Sequence, residues 1–110
     1  MEIEQYRGIL AHPVLSERLA DIKSGQVHDG IQVVVRFKNS WGASVINHSG
    51  SYGVELAVIK FMSDAMDDFD LRYDTAVTGD VLGWLTPEGL QDALIKISAL
   101  TPNGNLNIEE

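Results

Sequence analysis

Three apolar runs between residues 31 and 61, each followed or preceded by a glycine-bearing turn, constrain the fold more than any other part of this chain. After Asp29-Gly30 the apolar spacing shortens from about 3.6 to 2, the period of a strand. Ile31, Val33, Val35 and Phe37 point one way; Gln32, Arg36 and Lys38 point the other, with Val34 between them. Asn39-Ser40-Trp41-Gly42 reads as a tight turn, so a second strand, Ala43 to His48, is expected antiparallel to the first. Ser49-Gly50-Ser51-Tyr52-Gly53 is the next turn, and Val54 to Phe61 the third strand. Both faces of that strand are apolar, Val54/Leu56/Val58 and Ala57/Ile59/Phe61, which places it centrally with cover on both sides.

The flanks supply the rest. Pro13 suits the first turn of a helix, with Leu15, Leu19 and Ile22 on one face and Gly25 as a left-handed stop. The segment before it, Glu2 to Leu10, reads as either a helical turn or an extended arm. Phe69, Leu71 and Tyr73 alternate with Asp70, Arg72 and Asp74 as a fourth, half-exposed strand. Thr78 to Trp84 is expected as a short helical turn, with Trp84 as core or interface. Thr86-Pro87-Glu88 opens a last helix whose apolar stripe is Leu90, Ala93, Leu94, Ile97 and Leu100, and Thr101-Pro102 ends it. The expected fold is therefore α+β: a four-stranded antiparallel meander with N-terminal and C-terminal helices packed on it, α-β-β-β-β-α. It forms one domain over residues 1–102, with a frayed polar tail at 103–110.

Charge is distributed unevenly along this frame. Up to Ser63 six acids balance six bases. From Asp64 to Asp92, Asp64, Asp67, Asp68, Asp70, Asp74, Asp80, Glu88 and Asp92 stand against Arg72 alone, a net of −7 within a total of −8. Such a field favours a basic partner and repels nucleic acid and anionic membrane. Asp70 and Asp74 share a strand face with Arg72, close along the chain to Asp64, Asp67 and Asp68, and these five form the candidate patch. Trp41 and Tyr52, aromatic residues in connecting turns, are the candidate apolar anchors beside it, with core capping as the alternative role.

Other chemistry is poorly supported. Cysteine is absent, which removes disulfides and thiolate sites and fits a reducing compartment. No apolar run approaches a membrane span, and the acidic start, Met1-Glu2-Ile3-Glu4, is unlike a basic signal-peptide leader. The expectation is a cytoplasmic protein without cofactor or metal. The aspartate run lacks the sixth-position Gly and terminal Glu of an EF-hand: counted from Asp68 those positions hold Tyr73 and Gly79. The Gly/Ser-rich turns lie between strands with no nearby base, unlike a phosphate loop. His12, His28 and His48 fall in separate elements, and a triad drawn through Ser44 and His48 rests on coincidence.

Several segments carry a resemblance when taken together: Phe37-Lys38-Asn39-Ser40-Trp41-Gly42-Ala43-Ser44-Val45, Ser51-Tyr52-Gly53, Glu55-Leu56-Ala57-Val58, Tyr73-Asp74-Thr75 and Asp80-Val81-Leu82-Gly83-Trp84-Leu85-Thr86. Spanning about residues 31 to 100, this pattern resembles a family of small proteins of tailed bacteriophages and prophages. The chain departs from the family in lacking a Gly-Asp insertion before Val54 and in having Ala76 where Pro is commoner. The resemblance implies a phage origin and a bacterial host cytoplasm, and assigns no catalytic residue or ligand. Joined to the acidic run, it raises the expectation of a non-enzymatic accessory protein that binds a basic bacterial protein or ribonucleoprotein, its carboxylates imitating phosphate. The alternative is a homo-oligomeric or virion-associated structural protein built by strand-edge pairing.

Overall fold

The computed structural model describes residues 3–106. In chain order the elements are α1 (Ile3–Leu10), α2 (Pro13–Arg18), β1 (Leu19–Val27), β2 (Gly30–Phe37), β3 (Trp41–Asn47), β4 (Glu55–Phe61), β5 (Phe69–Leu71) and α3 (Pro87–Ser98). The strands make one antiparallel sheet in sequential order, β1-β2-β3-β4-β5. The α+β meander is as expected, but it has five strands rather than four.

The additional strand is β1, in the segment expected to continue the first helix. α2 starts as anticipated, with Pro13 in its first turn and His12 as N-cap, its Nδ1 accepting from the Val14 N–H at 3.2 Å. It stops at Arg18, and the chain turns outward to pair with β2 from Leu19↔Phe37 to Val27↔Gly30. The helical spacing of Leu15, Leu19 and Ile22 lost to a tertiary demand. β2 buries Val33, Val34 and Val35 on both faces, and as an edge it would leave their backbone groups unpaired. Gly25 accordingly lies within the strand, and the left-handed residue is His28 in the β1–β2 turn, at φ 54°.

One face of the sheet carries the main core. Val33, Val35 and Phe37 from β2, Trp41, Ala43 and Val45 from β3, and Leu56 and Val58 from β4 pack against Leu15 of α2 and Leu90, Ala93, Leu94 and Ile97 of α3. Each fully buried aliphatic side chain here stabilises by about 2 kcal/mol. The helix stripe predicted for α3 is the stripe observed, with Thr86 as N-cap, its Oγ1 accepting from the Gly89 N–H. On the opposite face Val34, Ile59 and Phe61 form a smaller cluster roofed by Met66 and Phe69. β4 is thus covered on both sides, and its outer edge is paired along its length: Lys60 with Asp70, and Leu56 with Leu82. Gly42 lets the strands close, since a Cβ there would collide with the Val35 carbonyl oxygen.

Two other expectations are corrected. Thr78 to Trp84 forms no helical turn; Leu82 exchanges both backbone hydrogen bonds with Leu56, extending the sheet edge. The expected fraying does not begin at position 103: Gly104 is buried and Leu106 pairs with Leu100, while residues 107–110 lie outside the described part. No helix among the described residues is long and apolar enough to cross a membrane.

The β2–β3 turn ties sheet to helix. Asn39 Nδ2 donates to the carbonyls of Ile97 and Leu100 at 3.0 and 3.1 Å, and its Oδ1 accepts the Trp41 N–H. Asn39→Ala removes three hydrogen bonds at a half-buried site and should cost about 2 kcal/mol. Asn39→Asp keeps the acceptor but sets a carboxylate against two carbonyls, so it should not recover that loss. Urea unfolding of the three proteins at neutral pH measures both differences.

Candidate functional site

The acidic run is divided in two by β5. Asp64, Asp67 and Asp68 lie on the loop that crosses the second sheet face, closed by Met62 N–H to the Asp68 carbonyl and by Asp68 N–H to the Ala65 carbonyl. Arg36 holds its base, donating to the Ser63 carbonyl at 2.7 Å, stacking on Phe61 at 4.7 Å and approaching Asp64 at 3.9 Å. Met66 is the apolar residue that seats this loop.

Asp70 and Asp74 belong to the other side. Asp70 pairs across the sheet with Lys60, and Asp74 takes a bidentate contact from Arg72, at 2.9 and 2.8 Å. The Arg72 guanidinium and the Lys60 ammonium both lie over the Trp41 ring, at 5.2 and 4.6 Å. Hydrogen bonding from Arg72 holds the Asp74 carboxyl below the usual carboxylate range, and the same bond raises Arg72. Burial, with the neighbouring Arg72 charge, pushes the Lys60 ammonium down. The fourth strand expected over Phe69 to Asp74 is cut to Phe69–Leu71, and its in–out alternation is not kept: Leu71 and Tyr73 are about half exposed, at 50% and 48%, while Arg72 is half-buried on the indole.

Trp41 is therefore not a surface anchor. It is fully buried, its Nε1 donating to the Thr101 carbonyl at 2.9 Å. A large apolar ring at the start of a central strand, with one donor to satisfy, is drawn inside once a carbonyl is offered. Tyr52 is exposed, at 62%, and its ring lies 6.4 Å from that of Trp84, at 74% the most exposed large apolar residue among the described residues. Trp84 is the residue missed in the sequence. Its neighbours Leu82 and Leu85 suggested core, but its backbone sits at φ 54°, which turns the indole outward.

Two glycines build this aromatic pair. Gly53 has φ 58°, and a Cβ on it would meet the Trp84 ring at 2.7 Å; a Cβ on Gly83 would meet Tyr52 Cβ at 2.9 Å. Trp84 N–H donates to the Tyr52 carbonyl at 2.7 Å, Leu85 N–H to that of Val54 at 3.0 Å, and Glu55 Oε2 accepts the Tyr52 N–H. The same Glu55 lines a groove of about 490 Å³ on the second sheet face, with Ser44, His48, Leu71 and Tyr73.

The remaining motifs find local partners. Within the Ser49-Gly50-Ser51 turn, Ser49 N–H goes to Asp29, Gly50 N–H to His48 Nδ1 and Ser51 N–H to the His48 carbonyl, which leaves none to cradle a phosphate. The Ser49 N–H holds the Asp29 carboxyl below its usual range. Ser44 Oγ accepts from Gln32, and four residues along an extended chain put His48 about 13 Å from Ser44, too far for a nucleophile and base. No group of three carboxylates or histidines among the described residues is arranged to hold a metal ion. Comparison with protein families, curated proteins and solved structures gave no match to this chain.

The Arg72–Asp74 contact has a defined pH response. Because the folded carboxyl titrates lower than the unfolded one, the contact contributes in full above the ordinary aspartate range and is lost as pH falls through the folded value. A carbon-detected NMR titration should place the Asp74 midpoint below that of a free aspartate, and Arg72→Gln should return it to that value.

Proposed function

We propose that this chain is a non-catalytic accessory protein that binds a basic protein through its acidic half. The observation that supports this best is the exposure of all eight carboxylates between Asp64 and Asp92, with Arg72 as the one cation in that stretch. Asp64, Asp67 and Asp68 stand on a loop anchored by Arg36 and Met66, so their charges are held outward on a fixed base. Desolvating such carboxylates is favourable only where a partner supplies cations, and a field of one sign speeds that encounter. The resemblance to tailed-phage proteins makes the partner a bacterial nucleic-acid-handling or defence protein, with the carboxylates taking the place of phosphates.

A pull-down from bacterial lysate at low and moderate salt tests this reading. The wild type should retain a basic protein, and Asp64, Asp67, Asp68 and Asp70 replaced together by Asn should lose it. Equal retention by both proteins with equal salt dependence would remove the charge argument.

One feature favours self-assembly as a second reading. β1 ends the sheet, and seven of its nine residues are exposed, Ile22 among them. Against this, the pairing shifts register between Leu19 and Asp21, and Asp21 Oδ1 takes the Ile22 N–H at 2.8 Å, both features that blunt an edge. Under this reading sedimentation should reveal dimers that Ser24→Pro abolishes, whereas a strict monomer at micromolar concentration sinks it.

A further inference from the structure

Trp84 combines two costs that a folded chain ordinarily avoids. It leaves about three-quarters of an indole in water, and it holds a bulky residue in the left-handed region at φ 54°. Backbone strain of this type persists where surrounding structure enforces it. The enforcement here is specific: Trp84 N–H is tied to the Tyr52 carbonyl, and Gly53 and Gly83 clear the space that lets the two rings stand together. The Trp84 ring itself is not part of the core cluster, although its neighbours Leu82 and Leu85 pack against that cluster.

The segments that carry the rings are acidic, although Asp74 and Asp92 are paired with Arg72 and Lys96. Residues 49–59 and 73–95, which carry the rings, include Glu55, Asp74, Asp80, Glu88 and Asp92 and not one Lys or Arg. Glu55 touches the Tyr52 backbone at 3.0 Å and opens onto the groove beside it. Two tilted aromatic faces next to a carboxylate attract a cation over the rings. A planar guanidinium suits the site better than an ammonium, because it stacks on indole and also forks to a carboxylate.

We infer that the Tyr52–Trp84 pair, with Glu55, is a seat for an arginine side chain of the protein partner. This rests on the binding function proposed above but relocates its centre from the aspartate loop to the aromatic pair. The loop then contributes long-range attraction, and the rings contribute the desolvated contact that typically dominates an interface.

The test uses the full chain and a blocked tetra-arginine peptide, with a tetra-glutamine peptide of the same length as control. In a proton–nitrogen NMR titration the Trp84 indole signal should shift saturably with arginine and stay still with glutamine, while the signal of buried Trp41 stays still with both. By calorimetry, Tyr52→Ala, Glu55→Gln and Trp84→Gly should each weaken binding at least tenfold. Trp84→Gly should also leave the unfolding midpoint unchanged or raise it, because glycine accepts positive φ without strain. Arginine-peptide binding that leaves the Trp84 signal unmoved, equal affinity in Trp84→Gly, no binding at all, or a collapse in its stability would each overturn the inference. The variant with Asp64, Asp67, Asp68 and Asp70 replaced by Asn separates the two proposals. Binding that survives in it with the Trp84 shift intact supports the aromatic seat and removes the loop; binding lost there and kept in Trp84→Gly does the reverse.

Discussion

A single indole, that of Trp41, organises the way the sheet, the last helix and the C-terminal return fit together. Its ring is fully buried, its N–H is satisfied by the Thr101 carbonyl just beyond α3, and its backbone N–H is held by Asn39. Asn39 in turn supplies donors to the carbonyl of Ile97 in the last turn of α3, which also takes the Leu100 N–H, and to that of Leu100 just beyond the helix. Gly104 packs against the far edge of the ring, so the chain must return across it after α3. Lys60 and Arg72 close it from the sheet side. Burying so large a group with every polar atom paired leaves few alternative positions for these segments.

How much of this was legible in the sequence follows from what each signal depends on. The strands around Val33, Val45 and Val58 are read from period two alone, because their burial is decided by side chains within the strand and its neighbours. The α3 stripe is legible for the same reason, with Thr86 and Pro87 marking its start. β1 was not legible: Leu15, Leu19 and Ile22 fit a helix, and what overrides them is the need of β2 for a partner, which no local spacing records. The two tryptophans exchange their expected roles for a related reason. Whether an indole is inside depends on whether a carbonyl such as that of Thr101 is waiting, and on a single backbone angle at Trp84. The acidic patch was legible as composition but not as geometry, since β5 separates Asp70 and Asp74 from the loop.

That separation changes the meaning of the charge total. Asp64 and Asp74 meet Arg36 and Arg72, and Asp70 stands opposite Lys60 in the sheet register; Arg36 and Lys60 come from the half of the chain that is neutral in sequence. Folding thus places base beside acid at the β5 end, and the stretch that stood out in sequence is partly balanced there. Toward Tyr52 and Trp84 the balance fails. Asp80 and Glu88 form no ion pair among the described residues, and Asp92 meets Lys96 within its own helix. Asp67 and Asp68 on the loop likewise form no ion pair among the described residues, so uncompensated charge remains both on the loop and at Asp80 and Glu88.

Strain and exposure coincide at Trp84, four residues along the chain from both Asp80 and Glu88. A tryptophan whose ring lies outside the core cluster is held where it faces water, beside a tyrosine and a carboxylate. Each component alone has an ordinary explanation: exposed aromatics occur, and turns take left-handed residues. Their coincidence does not, because a glycine at position 84 would relieve the backbone and a polar residue would relieve the exposure. What neither would supply is a rigid π-face in a negative field, and a rigid face binds without the ordering cost that weakens contacts made by flexible loops.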